Sequence, residues 1–161
     1  MGVGKTTIAK ELARQLNMPC IDTDKEIEKF ERKSITKIFN TYGEDYFRDI
    51  ETRILRRIRK NHVVSCGGGT VLFNNNMKYI QSKGKSIYLQ ASTKILFNRL
   101  KKDKKNRPII NTMNEEELNR FIIESISKRK EIYEKATYKI NIDNKTRTQI
   151  LRDINALISP F

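Results

Sequence analysis

The residues best suited to chemistry stand at the start of the chain. Gly2-Val3-Gly4-Lys5-Thr6-Thr7 runs straight into a helical pattern. Glycines let a backbone fold tightly enough to aim its N–H groups at phosphate oxygens, and a following helix turns its positive end to the same anion. A lysine after the second glycine neutralises β and γ phosphates, and the next hydroxyl suits Mg²⁺. Asp22-Thr23-Asp24 offers two carboxylates one residue apart, one to hold a metal through water and one to take a proton from a hydroxyl. Further on, Arg48 and Glu51 are helix neighbours at i, i+3. Glu51 shares a face with Phe47, Ile54 and Leu55, so its charge needs a partner, and Arg48 can serve while offering its fork to a ligand. The triplet Gly67-Gly68-Gly69 lets a ligand approach the backbone closely. Arg129 falls in helical register with Ile122, Ile126 and Tyr133, which turns a guanidinium inward, where an anion is its usual partner.

Each feature also has a plainer reading. Gly4-Lys5-Thr6-Thr7 could be a glycine-rich cap before an amphipathic helix. Asp24 could cap a helix over residues 24–33. Arg48 and Glu51 could be an ordinary surface pair, the glycines a flexible turn, and Arg129 a rim residue whose stem covers apolar surface. His62, the single histidine, sits at a strand start away from these residues and reads as structural.

The elements that must position these groups alternate. Short apolar runs at 20–23, 62–66, 86–89 and 138–142 read as buried strands. Helical patterns cover 5–16, 44–59 and 115–136. Alternation of this kind predicts a parallel sheet flanked by helices, with ligands at the carboxyl ends of the strands. The 161 residues suit one domain, 1–161. No apolar run approaches the roughly 18 residues that cross a bilayer. The sequence does not open with the basic-then-apolar layout of a signal, and two cysteines make no disulfide framework, so a cytoplasmic setting is expected. The net charge of +14 and pI near 9.9 fit a nucleic-acid binder or a protein of small anions. The basic residues are spread along the chain, so no nucleic-acid partner is expected. The run Arg53, Arg56, Arg57, Arg59 and Lys60 reads as a solvated helix face.

In order and spacing, Gly2 to Thr7, Asp22-Thr23-Asp24, Phe47-Arg48-Asp49-Ile50-Glu51, Gly67-Gly68-Gly69, Asn106-Arg107-Pro108-Ile109 and Lys128-Arg129 through Tyr133 resemble shikimate kinase over essentially the whole chain. The resemblance implies an α/β, P-loop nucleoside-monophosphate-kinase-like three-layer fold with a parallel sheet. It implies a shikimate-binding helical region over 24–60 and a lid over 102–115. The strand that normally feeds the phosphate loop, and the loop's first glycine, have no counterpart in the sequence. A start inside a longer protein, a trimmed chain and a degenerate loop would each account for that, and an absent central strand would leave its neighbours with unpaired backbone groups.

The implied activity is ATP-dependent phosphorylation of the shikimate 3-hydroxyl, with Mg²⁺, by a cytoplasmic monomer that has shikimate and ATP as partners and no membrane association. Lys5, Asp24 and Arg107 would be catalytic. Asp24, Arg48, Gly68, Gly69 and Arg129 would bind shikimate. Gly2, Val3, Gly4, Lys5, Thr6, Thr7, Arg99 and Arg107 would bind ATP, and Thr6 and Asp22 would hold the metal. The turn at residues 142–145 resembles the adenine loop. Two other outcomes remain open at this point: an inactive relative, and a kinase of another small molecule such as gluconate. The pair Arg48 and Arg129 beside three glycines favours a carboxylate substrate.

Overall fold

A computed structural model describes residues 2–104, 107 and 109–158. Met1, and Asn106 and Pro108 of the segment expected to form a lid, lie outside the described residues. By internal contacts the chain divides into two compact units, residues 5–84 and residues 1–4 with 85–161.

The 5–84 unit begins with α1 (Lys5–Gln15), which buries Ile8, Ala9, Leu12 and Ala13 along one stripe. Strand β1 (Cys20–Asp22) pairs in parallel with β2 (Val63–Ser65), with Asp22 opposite Ser65. Helix α2 (Thr23–Glu31) follows β1 directly, and Asp22 is its N-cap, accepting from the Asp24 and Lys25 amides at 3.2 and 3.4 Å. The cap is therefore two residues earlier than the plain reading of Asp24 supposes, and Asp24 is not the cap. Helix α3 (Ile35–Arg57) starts at Ser34, whose hydroxyl accepts from the Lys37 amide. It is broken at Gly43, where φ is 83° and ψ 179°. Only the part after the break is visible in the sequence as a continuous stripe. Ile27 of α2 packs with Ile38, Phe47, Ile50 and Ile54 of α3 to form this unit's core. A 3₁₀ turn (Thr70–Leu72) and α4 (Asn76–Lys83) complete it.

The other unit holds β3 (Ile87–Gln90), paired in parallel with β4 (Tyr138–Asn141), and the helices α5 (Thr93–Lys102), α6 (Glu115–Tyr133) and α7 (Arg147–Ile158). Asn114 and Glu117 form a reciprocal capping box at the start of α6, each satisfying an orphan amide of the other. Leu96 and Leu100 of α5, Ile110, and Leu118 and Ile122 of α6 form the second core, with Val3 packed against it.

The four strands fall where the apolar runs place them, within a residue or two. Among the described residues they form two two-stranded parallel sheets, β1–β2 and β3–β4. Four short strands pair only with the partners their connections bring alongside, and no described strand joins the two pairs. Helices α4, α5 and α7 are additions to the sequence reading.

Core and surface positions on α3 should separate cleanly. Ile38, fully buried, should cost about 2–5 kcal/mol when replaced by alanine. Arg57, exposed with its guanidinium over the Phe30 ring, should cost no more than about 0.5 kcal/mol. Urea denaturation of Ile38→Ala and Arg57→Ala measures both, and equal losses would contradict this placement of the core.

Candidate active site

The phosphate-loop residues take the backbone form their types predict. Gly2 and Gly4 have φ of 77° and 84°, and α1 begins at Lys5. The Thr6 hydroxyl donates to Asp22 Oδ2 at 2.7 Å, and Ser65 Oγ lies 3.4 Å away. Asp22 thus divides its oxygens: Oδ1 caps α2 and Oδ2 meets Thr6. Thr7 is exposed on α1.

Thr23 joins the carboxyl ends of the two strands. Its hydroxyl donates to the Ser65 carbonyl at 3.3 Å and accepts from the Gly67 amide at 3.0 Å. That draws the glycine segment over α2 and α3. A Cβ built on Gly67 would come within 2.7 Å of Asp24 Oδ1 and 2.9 Å of Glu51 Oε1. One built on Gly69 would come within 2.7 Å of Arg48 Nη1. Close approach to side chains is why these two positions are glycine. Gly69 is among the residues singled out in the sequence. Gly67 is singled out only as part of the triplet and carries no implied binding role, and nothing in the triplet itself says which member is crowded.

Glu51 is 1% exposed and fully engaged. Its Oε1 accepts from the Thr70 hydroxyl at 2.5 Å, and its Oε2 accepts from Arg48 Nη1 at 2.9 Å. Burial of a lone carboxylate would be prohibitive, and this pairing is what permits it. Arg48 is held on a second side by Glu44, whose Oε1 accepts from Nε at 3.1 Å and from Nη2 at 2.9 Å. Its guanidinium lies 4.4 Å from the Phe73 ring centre and 5.1 Å from that of Phe47. Behind it, Thr52 donates to the Arg48 carbonyl and accepts from Asn76 and Asn74. The sequence pattern shows the Arg48–Glu51 pair. Thr70 and Asn76 were missed, and their only sequence signal is polarity beside a glycine triplet.

Asp24 sits among like charges. Burial is the main reason its carboxyl is pushed up to about 6, and Asp22 and Glu51 add to the effect while Lys5 opposes it. Burial also pushes the Cys66 thiol up to about 12, with Glu51 contributing. Such a thiol stays protonated and is no nucleophile at neutral pH. Asp24 by contrast is ionised near neutrality yet retains affinity for a proton, the property asked of a general base.

The remaining predicted residues belong to the other unit. Arg99 donates to the Val3 carbonyl at 3.2 Å, which places it on the phosphate loop's own backbone. Arg107 donates from Nε and Nη2 to Asp103 Oδ2, both at 2.9 Å. Arg129 hydrogen-bonds the Tyr133 side chain and lines a small hollow with Leu96, Ile122 and Ile126. In the turn at 142–145, Asp143 accepts from the Ser92 amide at the start of α5. His62 hydrogen-bonds the backbone carbonyls of Arg59 and Lys60, in keeping with a structural role.

Comparison with known proteins adds an independent line. A family model described as "Shikimate kinase" matches residues 1–159. A shikimate kinase of Bacteroides thetaiotaomicron is 38% identical over 160 residues, covering 98% of this chain and 91% of its own. One of Azobacteroides pseudotrichonymphae is 40% identical over 157 residues, covering 96% and 92%. The crystal structure of shikimate kinase from B. thetaiotaomicron superposes with a TM-score of 0.92 at 35% identity, over 98% of this chain and 93% of that one. A shikimate kinase from Acinetobacter baumannii in complex with shikimate gives a TM-score of 0.88 at 31% identity, over 98% and 88%.

Asp24 should cost the fold stability at neutral pH. Its folded-state pKa lies above its unfolded value of 3.8. Above pH 6 its charge is therefore penalised only in the folded state, and the penalty fades as pH falls from about 6 to below 4. Asp24→Asn should raise stability at pH 7.5 by up to about 3 kcal/mol. The gain should vanish by about pH 3.5, where the carboxyl is protonated in both states. Thermal melts across that range check it, and a gain independent of pH would show that burial of the charge is not its cause.

Proposed function

We propose the reaction on one premise: the chain belongs to the shikimate kinase family. The reaction is transfer of the γ-phosphoryl group of ATP to the 3-hydroxyl of shikimate, giving shikimate 3-phosphate and ADP. The fold is that of the P-loop nucleoside-monophosphate kinases. The match over residues 1–159 favours this activity over gluconate phosphorylation and over an inactive relative.

One local observation carries the reading on the side of this chain. Around Gly67 and Gly69 stand a carboxyl of raised pKa, Asp24, and an arginine fixed by a buried carboxylate, Arg48 with Glu51. A base for an alcohol and a clamp for a carboxylate are what a cyclic hydroxy-acid requires. Asp24 takes the proton from the 3-hydroxyl as the oxygen attacks. Arg48 and Arg129 bind the substrate carboxylate. The backbone at Gly68 and Gly69 faces the ring. Phosphoryl transfer depends on positioning and charge neutralisation more than on covalent chemistry. The amides from Gly2 to Thr7 cradle the phosphates, and Lys5 and Arg107 balance the charge that builds on the transferred group. Arg99 packs against the adenine. The region 24–60 serves as the shikimate-binding segment and 102–115 as the lid.

Thr6 and Asp22 fit a divalent ion. A hydroxyl and a carboxylate oxygen 2.7 Å apart are the hard oxygen donors that Mg²⁺ selects, and few protein ligands are needed when phosphates complete its shell. When bound there, Mg²⁺ would screen phosphate charge. Among the described residues no helix is long and apolar enough to cross a membrane. We assign the protein to the cytoplasm as a monomer with no nucleic-acid partner.

A coupled assay of ADP release tests the activity. ADP should form with shikimate and not with gluconate. Arg129→Ala should raise KM for shikimate by about tenfold or more, the worth of a charge-assisted contact, and leave KM for ATP within about twofold. Equal effects on both would remove Arg129 from the carboxylate clamp. Gly69→Ala should likewise raise KM for shikimate, since its Cβ would displace the Arg48 fork.

A further inference from the structure

The two carboxylates on Arg48 are unlike, and the difference assigns them different work. Glu51 is 1% exposed, sits on the core side of α3, and spends both oxygens, one on Thr70 and one on Arg48. It has nowhere to go. Glu44 is 55% exposed, stands one turn before Arg48 just after the break at Gly43, and engages through a single oxygen, Oε1. That oxygen receives both Nε and Nη2, one whole edge of the guanidinium. A planar fork presents such an edge to a carboxylate, and an incoming carboxylate competes for the same donors. The guanidinium carbon lies over the rings of Phe73 and Phe47, at 4.4 and 5.1 Å from their centres, and Nη1 is committed to the buried Glu51. The Nε–Nη2 edge is thus the part of Arg48 whose present partner is free to leave.

We propose that Glu44 is an internal stand-in for the substrate carboxylate: it occupies the Nε–Nη2 edge of Arg48 in the unliganded enzyme and is displaced when a carboxylate ligand binds. The proposal rests on the assignment of Arg48 to the carboxylate clamp. Glu44 holds the guanidinium extended and neutralised while the site is empty, at the expense of competing with the ligand. It is a positioning and affinity-setting residue and touches no reacting atom. A brace predicts the opposite: removal of a brace lets Arg48 wander and weakens binding, whereas removal of a competitor strengthens it.

The sign of the change decides. Glu44→Gln keeps the size of the side chain and removes its charge at an exposed position, so the fold is expected to survive. The Kd for shikimate, read by isothermal titration calorimetry on the full chain without nucleotide, should fall about two- to fivefold, the range spanned by exposed ion pairs. KM for shikimate should fall with it while kcat and KM for ATP stay unchanged. Glu44→Asp, too short to span the same edge, should bind shikimate as tightly as Glu44→Gln. Glu51→Gln should move the other way and weaken binding. Unchanged or weaker binding by Glu44→Gln would overturn the proposal and make Glu44 a second brace. A wild-type protein that binds no shikimate would instead refute the underlying assignment of function, and the two failures are told apart by the wild-type titration alone.

Discussion

A carboxylate that water cannot reach has to be matched, and the pairing of Glu51 with Arg48 is the constraint around which the 5–84 unit is arranged. Glu51 lies on the same stripe as Phe47, Ile50 and Ile54, the residues that fasten α3 to α2. The stripe cannot be buried without burying the acid. The acid in turn requires Arg48 from one turn earlier and Thr70 from the segment after β2. Thr70 is itself fully buried, and its carbonyl accepts from Asn76, which also reaches Thr52 on α3. A single ionic requirement therefore ties helix, turn and glycine segment into one body. Removing either partner would leave a buried charge without compensation, which costs more than the pair contributes while intact.

The glycines follow from the same requirement. With Glu51, Thr70 and the Arg48 fork drawn into one place, the backbone between β2 and the 3₁₀ turn has to pass within van der Waals distance of them. Gly67 passes Asp24 and Glu51, and Gly69 passes Arg48. Thr23 then fixes the height of the segment through its two hydrogen bonds across the strand ends. What reads in the sequence as permissive backbone is in the structure a matter of room: side chains at these positions would push the charged groups apart.

How far the site can be read from sequence depends on whether its logic is local. Gly4-Lys5-Thr6 and the Arg48–Glu51 spacing are local, and both are legible because loop geometry and the helix repeat fix them within a few residues. The cap of α2 is local too, but two aspartates flank Thr23 and the pattern alone does not choose between them. The structure assigns the cap to Asp22 and frees Asp24. The crowding at Gly67, the role of Thr70 and the division of the strands into two pairs depend on which segments meet. Those meetings are set by long-range packing, which carries no periodic trace. The first half of α3 escaped for a different reason: Gly43 interrupts the stripe, and a helix that resumes after a break reads as one that begins there.

The acidic side of the site shows what such an arrangement costs. Asp22, Asp24 and Glu51 share one small region, and only Lys5 offsets their combined effect on Asp24. Glu51 resolves its charge by pairing, and Asp22 by capping a helix and accepting from Thr6. Asp24 is left with the unresolved part, so its carboxyl holds a proton more tightly than an exposed one would. That unresolved charge is destabilising for the fold, and in the proposed reaction it suits Asp24 to accept a proton from an alcohol, which a carboxylate already satisfied by its neighbours would have no reason to do. Stability in this region is placed in Glu51 and Arg48 and withheld from Asp24, the group to which the proposed reaction assigns the proton transfer.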